Sequence, residues 1–180
     1  MVKVHFLGAS GTVTGSKFCL ETDEQNILID CGMFQGRKDL RRSNWEPLPF
    51  SADSIDVVLL THGHLDHTGY LPRLVKDGFK GEIAGTAPTL AITKIILLDS
   101  AKINEEEAEI ANKEGYSKHR PALPLYNIQD AENAIALFRT KELDHWTQLS
   151  ENIRYKFRYN GHIIGSTFIE IEISGKRFVF

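Results

Sequence analysis

Three histidines and an aspartate fall within six consecutive residues of THGHLDHTGY (61–70): His62, His64, Asp66 and His67. Imidazole nitrogen and carboxylate oxygen are the ligand types that zinc and similar divalent ions take. His62 and His64 directly follow an apolar, strand-like run, and side chains at i and i+2 of extended chain point the same way, so both rings can reach one ion. Asp66 and His67 come where the chain must turn into a helix, which aims them at a neighbouring position. The spacing therefore predicts two metals side by side. Shuffling a chain of this composition would produce HxHxDH on the order of once in a thousand attempts, which sets the metal reading above that of an incidental polar loop.

A zinc enzyme usually keeps three protein ligands and an open position for water. The candidate third partner of His62 and His64 is His162 in YNGHIIGSTF, where the flanking glycines would let the backbone pass close to an ion. His5 reads as a sheet residue, and His119 and His145 as surface residues in polar connecting sequence. Zinc is the metal that nitrogen-rich ligation favours, and manganese is the alternative. An HxH pair also opens the metal sites of barrel hydrolases, but those barrels take roughly 250 residues and this chain has 180.

The elements that must hold these side chains can be read from periodicity. Strand-like runs cover Val2 to Leu7, Lys17 to Glu21, Asn26 to Asp30 and Ile55 to Leu60. After the histidine cluster the period becomes helical: Leu71, Leu74 and Val75 with a stop at Gly78, then a long helix opened by Pro88 and running to about Lys113. Asn127 and Asp130 form a capping pair for a helix through Phe138. The remainder is β again, around Trp146 to Leu149, Ile153 to Tyr159, Thr167 to Ile173 and Lys176 to Phe180. GASGTVTGS, between the first two strands, lacks the spacing of a dinucleotide loop.

A length of 180 residues implies one domain, and a hydrophobic content of 42% with 25% charged residues is ordinary for a soluble globular protein. No apolar run approaches the roughly 18 residues of a membrane span, and the N-terminus reads as a strand, not a signal peptide. Only Cys19 and Cys31 occur, which suits a reducing compartment and a cytoplasmic location. A net charge of −3 excludes a globally basic nucleic-acid binder. The nearest basic cluster is Arg37, Lys38, Arg41 and Arg42, which reads on its own as a solvated loop or helix face.

HFLGASGTVTGS, NILIDCGMFQG, THGHLDHTGYLPRL and GHIIGST together resemble, in order and rough spacing, the signature segments of the metallo-β-lactamase superfamily in its β-CASP branch, which contains RNA-processing nucleases. PLYNIQDAENAI resembles a helix lead-in of that RNA-directed group. The resemblance implies an α/β fold, the four-layer αββα sandwich, present here as its N-terminal half. It further implies that His62, His64 and His162 hold one zinc and that Asp66 and His67 hold the second. Asp66 would orient the hydroxide formed between the metals, and Asp30 would orient the histidine loop from behind. Arg37, Lys38, Arg41 and Arg42 become phosphate contacts on an RNA substrate.

The family also places an aspartate bridging the metals beyond the strand GKRFVF, then a last histidine and the inserted β-CASP domain, and none of these lies within the 180 residues. The expectation is a single partial domain that binds at most one zinc firmly and has little nuclease activity by itself, with RNA as substrate of the whole protein. Exposed sheet surface left by the missing part would favour a homo-oligomer. Two other readings stay open: a small-molecule thioester, lactam or lactone hydrolase of the same superfamily, and a non-catalytic metal- or partner-binding fragment.

Overall fold

The computed structural model describes residues 1–180 as two β-sheets packed face to face, with helices on the outside of the first. The first sheet has six strands in sequential order: β1 (Lys3–Gly8), β2 (Lys17–Glu21), β3 (Asn26–Ile29), β4 (Val57–Leu59), β5 (Glu82–Gly85) and β6 (Phe138–Thr140). β1 to β3 run antiparallel, whereas β3 to β6 are parallel. Parallel neighbours need crossovers, and the helices supply them. These are α2 (Leu65–Thr68), α3 (Leu71–Lys76), α4 (Ala87–Glu114) and α5 (Ile128–Ala136), and a short α1 (Lys38–Arg42) follows β3.

The second sheet is antiparallel, in the order β10 (Lys176–Val179), β9 (Thr167–Ile173), β8 (Ile153–Tyr159) and β7 (Thr147–Ser150). In its two central strands, β8 and β9, the alternation is strict. Ile153, Tyr155 and Phe157 of β8 and Ile169, Ile171 and Ile173 of β9 all point inward and are fully or almost fully buried, against Leu20, Ile27, Ile29, Val57 and Leu59 of the first sheet. A second core lies on the helical side of the first sheet, where Leu28, Val58 and Ile83 meet Leu71, Leu74, Leu97, Tyr126 and Ala131. Each central strand is thus apolar on both faces, as its continuous rather than alternating run requires.

The long helix starts and stops where its sequence says. Thr86 caps the N-terminus by accepting from the Thr89 amide, Pro88 sits in the first turn, and Gly115 ends the helix in the left-handed region at φ 69°. The predicted capping pair is reciprocal: the Asp130 amide donates to Asn127 Oδ1 at 2.8 Å and the Asn127 amide donates to Asp130 Oδ2 at 3.1 Å.

One expectation needs correction. Helix α5 ends at Ala136, and Phe138 belongs to β6, an edge strand of three residues that is too short to show a period of its own. Strand β5 was likewise not read from the sequence, because its four residues sit in a glycine-bearing connection. Within this chain the layers are helix, sheet, sheet. The outward face of the second sheet is a charged ladder, not an apolar surface: Arg154 Nε bonds Glu172 at 2.8 Å, Lys156 and Arg158 pair with Glu170, and Trp146 lies under Arg154 and Lys156. That face is therefore polar, and exposed apolar residues of the strands lie instead at the sheet edges, at Phe6 and Val179.

Candidate metal centre

The predicted ligands converge at one end of the sandwich, where loops leave the strands of both sheets. Asp30 closes β3 in the left-handed region at φ 56°, which an aspartate tolerates better than most residues. It is 2% exposed. Its carboxylate accepts from the Thr61 amide at 2.8 Å, from Thr61 Oγ1, and from His67 Nδ1 at 2.7 Å. One buried carboxylate therefore grips both ends of the histidine loop.

Ser16, just before β2, and the segment after β3 hold the same loop by backbone. The Ser16 amide donates to Asp66 O, Cys31 to His67 O and Met33 to Leu65 O, and the Tyr70 amide donates back to Cys31 O, all at 2.7–3.1 Å. Gly32 makes this contact close: a Cβ there would stand 1.6 Å from Asp66 O. Gly63, between the first two histidines, lies against Ile92 of α4 in the same way, with a built Cβ 2.8 Å from Ile92 Cγ2. The glycines of DCG and HGH thus let two chain segments and a helix meet without intervening side chains.

His62 Nε2 lies 3.0 Å from His64 Nδ1, and His162 Nε2 lies 3.4 Å from that same His64 nitrogen. All three ligand nitrogens fall within 4.8 Å of one another. Two nitrogens each about 2.0–2.1 Å from a tetrahedral zinc stand about 3.3 Å apart, so the three donors fit one such ion with a position left over. His62 is buried and His162 exposed, so the triad opens towards solvent on the His162 side.

The network behind the rings selects the tautomers. Thr61 Oγ1, whose own proton goes to Asp30, is 2.9 Å from His62 Nδ1, which leaves the Nε2 lone pair of His62 facing the triad. Burial lowers the His62 pKa to about 3, helped by the neighbouring His67, His64 and His162, so this imidazole is neutral and ready to ligate. For His67, burial acts to lower the pKa, but the hydrogen bond and charge of Asp30, with Asp66 in support, outweigh it and the net shift is upward. With Nδ1 committed to Asp30, the free Nε2 of His67 lies 3.9 Å from Asp66 Oδ2. Asp66 and His67 face a position beside the triad but do not themselves make a three-ligand group.

His162 reaches the triad from the other sheet, on the loop between β8 and β9. That loop is bolted to the start of α4: Thr86 Oγ1 and Thr89 Oγ1 donate to Gly165 O at 2.7 and 2.8 Å. Below it the Thr167 amide and hydroxyl donate to Thr61 O at 2.9 and 3.2 Å, tying the second sheet to the residue just before the first histidine. Sequence reasoning missed Thr61, Thr86 and Thr89. The first had a signal in its place between a buried strand and HGH, but nothing in the sequence pairs the other two with residue 165.

The other candidates separate. Arg37 is bound to Asp39 through Nε and Nη2 at 3.1 and 2.8 Å, so it is already occupied. Lys38, Arg41 and Arg42 make no ion pair and line a groove of about 710 Å³ that adjoins the metal loop at Leu65. His5 contacts Glu21 within the sheet at 2.8 Å, and His119 and His145 are exposed. Cys19 and Cys31 are both free and buried.

Two packed sheets with a histidine cluster at their mouth, positioned by an aspartate at a strand end, define a class of metal-binding α/β fold. The chain belongs to the metallo-beta-lactamase superfamily, whose pattern matches residues 15–147. Among solved structures, a HARLDQ motif mutant of a metallo-beta-lactamase from Cronobacter sakazakii aligns over 98% of this chain and 60% of its own, with TM-score 0.57 and 20% identity, which supports the fold. In sequence the chain is similar to Ribonuclease TTHA0252 of Thermus thermophilus, 34% identical over 96% of this chain and 36% of that protein. It is also similar to Transcription termination factor FttA of Methanosarcina mazei, 34% identical over 96% of this chain and 25% of that protein. Integrator complex subunit 11 of Gallus gallus is 30% identical over 99% and 29%. The chain spans about a quarter to a third of the length of these relatives.

Proposed function

We propose that this chain is the metal-binding part of a β-CASP-type ribonuclease that hydrolyses RNA phosphodiesters. The observation that carries the reading is the His62, His64 and His162 triad, three nitrogens within 4.8 Å in a chain whose sequence relatives include a ribonuclease. The nitrogen-only donor set favours zinc at this position. Asp66 and His67 would contribute to holding a second ion beside it. Divalent ions bound there would neutralise charge on the phosphate and lower the pKa of a water molecule.

The side chains carry the rest. Asp66 accepts a hydrogen bond from the attacking water and holds it towards phosphorus. Asp30 keeps His67 and, through Thr61, His62 in their ligating tautomers. Lys38, Arg41 and Arg42 contact substrate phosphates, and Arg37 acts only after leaving Asp39. Free buried Cys19 and Cys31 suit a reducing cytoplasm, and no helix is long and apolar enough to cross a membrane.

Metal analysis tests the reading. The purified chain is expected to hold one zinc firmly and a second weakly, with little hydrolysis of labelled RNA until the second site is completed. His62→Ala should abolish the firm site. Two tightly held zinc ions per chain, or a firm zinc retained by His62→Ala, would sink the assignment.

A further inference from the structure

The groove between α1 and α4 begins where the metal loop ends. Gly63 touches Ile92 of α4, and Ile96, one helical turn on, is the first α4 residue in the groove. From Ile96 to Glu107 the helix lines it for about 16 Å, at 1.5 Å per residue. Opposite stand Lys38, Arg41 and Arg42, three cations without an anionic partner, and Trp45, which is 52% exposed. The α4 wall is different: Ile96 and Ile103 alternate with Asp99 and Glu107.

The two walls are unlike in charge in a way that matches an unpaired nucleic-acid strand. Its phosphates require cations, its base faces stack on aromatic and apolar side chains, and its exocyclic amines donate to carboxylates. A phosphate backbone is repelled by Asp99 and Glu107 and drawn to the α1 wall, which turns the bases towards α4. A duplex hides its base faces and edges and could use only the cationic wall.

We propose that this groove binds single-stranded RNA running away from the metal loop, with phosphates on Lys38, Arg41 and Arg42 and bases on Trp45 and the Ile96–Ile103 side. The inference rests on the ribonuclease reading and narrows its substrate to an unpaired strand held on one side by this path.

Fluorescence anisotropy of the zinc-loaded protein with a short labelled RNA strand, alone and annealed to its complement, tests it. The single strand should bind more tightly than the duplex. Lys38→Glu/Arg41→Glu/Arg42→Glu should weaken single-strand binding at least tenfold, and flatten the slope of log affinity against log salt by about 2 for three phosphates. Trp45→Ala should weaken it roughly tenfold with the slope unchanged. Zinc content, read in parallel, should not change in either variant. Single-strand binding that survives both changes, or a duplex bound as tightly as the strand, overturns the groove; if RNA is still cleaved in a metal-dependent way, the ribonuclease reading stands without it. A zinc-loaded protein that binds neither RNA overturns both.

Discussion

Asp30 Oδ2 accepts a hydrogen bond from His67 Nδ1 at 2.7 Å across 37 residues of sequence, and the same carboxylate binds the amide and hydroxyl of Thr61. A proposed ligand of the second site, His67, and the residue that orients His62 are thereby held by a single buried group. Asp30→Asn keeps the left-handed backbone, which asparagine accepts, but removes the negative charge and one of the acceptor oxygens. We expect metal affinity to fall about 10- to 100-fold, as for other groups that orient ligating histidines. Chelator competition measures this, and an affinity within twofold of wild type would refute the anchoring role.

Gly165 has φ 78° and stands so close to α4 that a Cβ would lie 2.7 Å from the Thr89 amide nitrogen. Gly165→Ala combines a strained backbone with a backbone clash, so the β8–β9 loop must lift and carry His162 away. Zinc binding should drop to the level of His162→Ala, while thermal unfolding of the metal-free chain shifts by no more than a few degrees, because the loop lies outside both cores. A variant that keeps full zinc affinity would show that the loop is not positioned by this contact.

Lys17 is a buried amine, 2% exposed, that makes no hydrogen bond or ion pair and lies 4.5 Å from the Phe34 ring centroid and 4.7 Å from that of Tyr70. Burial lowers its pKa from 10.5 to about 8. Below pH 8 the proton is bound in both folded and unfolded chains, and the folded state bears the full penalty of about 3 kcal/mol, of which the two aromatic faces return about 1–2. Between pH 8 and 10.5 the unfolded chain binds more protons, so stability from this group rises with pH. Lys17→Met should therefore gain about 1–2 kcal/mol at pH 7, and the advantage should vanish by pH 10.5. Urea unfolding at the two pH values checks this; a destabilised variant at pH 7 contradicts it.

The candidate metal chemistry is legible in the sequence because four of its proposed ligands are local. HGHLDH lies within one turn region, and strand periodicity before it and helix periodicity after it place those side chains without knowledge of the fold. Asp30 is legible only through the resemblance, and His162 only as a glycine-flanked histidine once two ligands are placed, since each lies far from the cluster in sequence. The shortest strands, β5 and β6, were invisible because three or four residues carry no period and gain their structure from the parallel neighbours they extend.

By itself, then, the sequence determined the candidate ligand types, the loop that carries most of them and the capped ends of α4 and α5, all of which follow from interactions within a few residues. Tertiary structure alone decided how the second sheet delivers His162, through Thr86, Thr89 and Thr167, and how Gly32 and Gly63 admit the loop between β3 and α4. It also decided that the outer face of the second sheet is a paired charge ladder and that three unpaired cations face a groove beside the metal loop. These depend on which segments meet after chain crossovers, and neither residue type nor spacing along the chain specifies that until the two sheets close on their shared core.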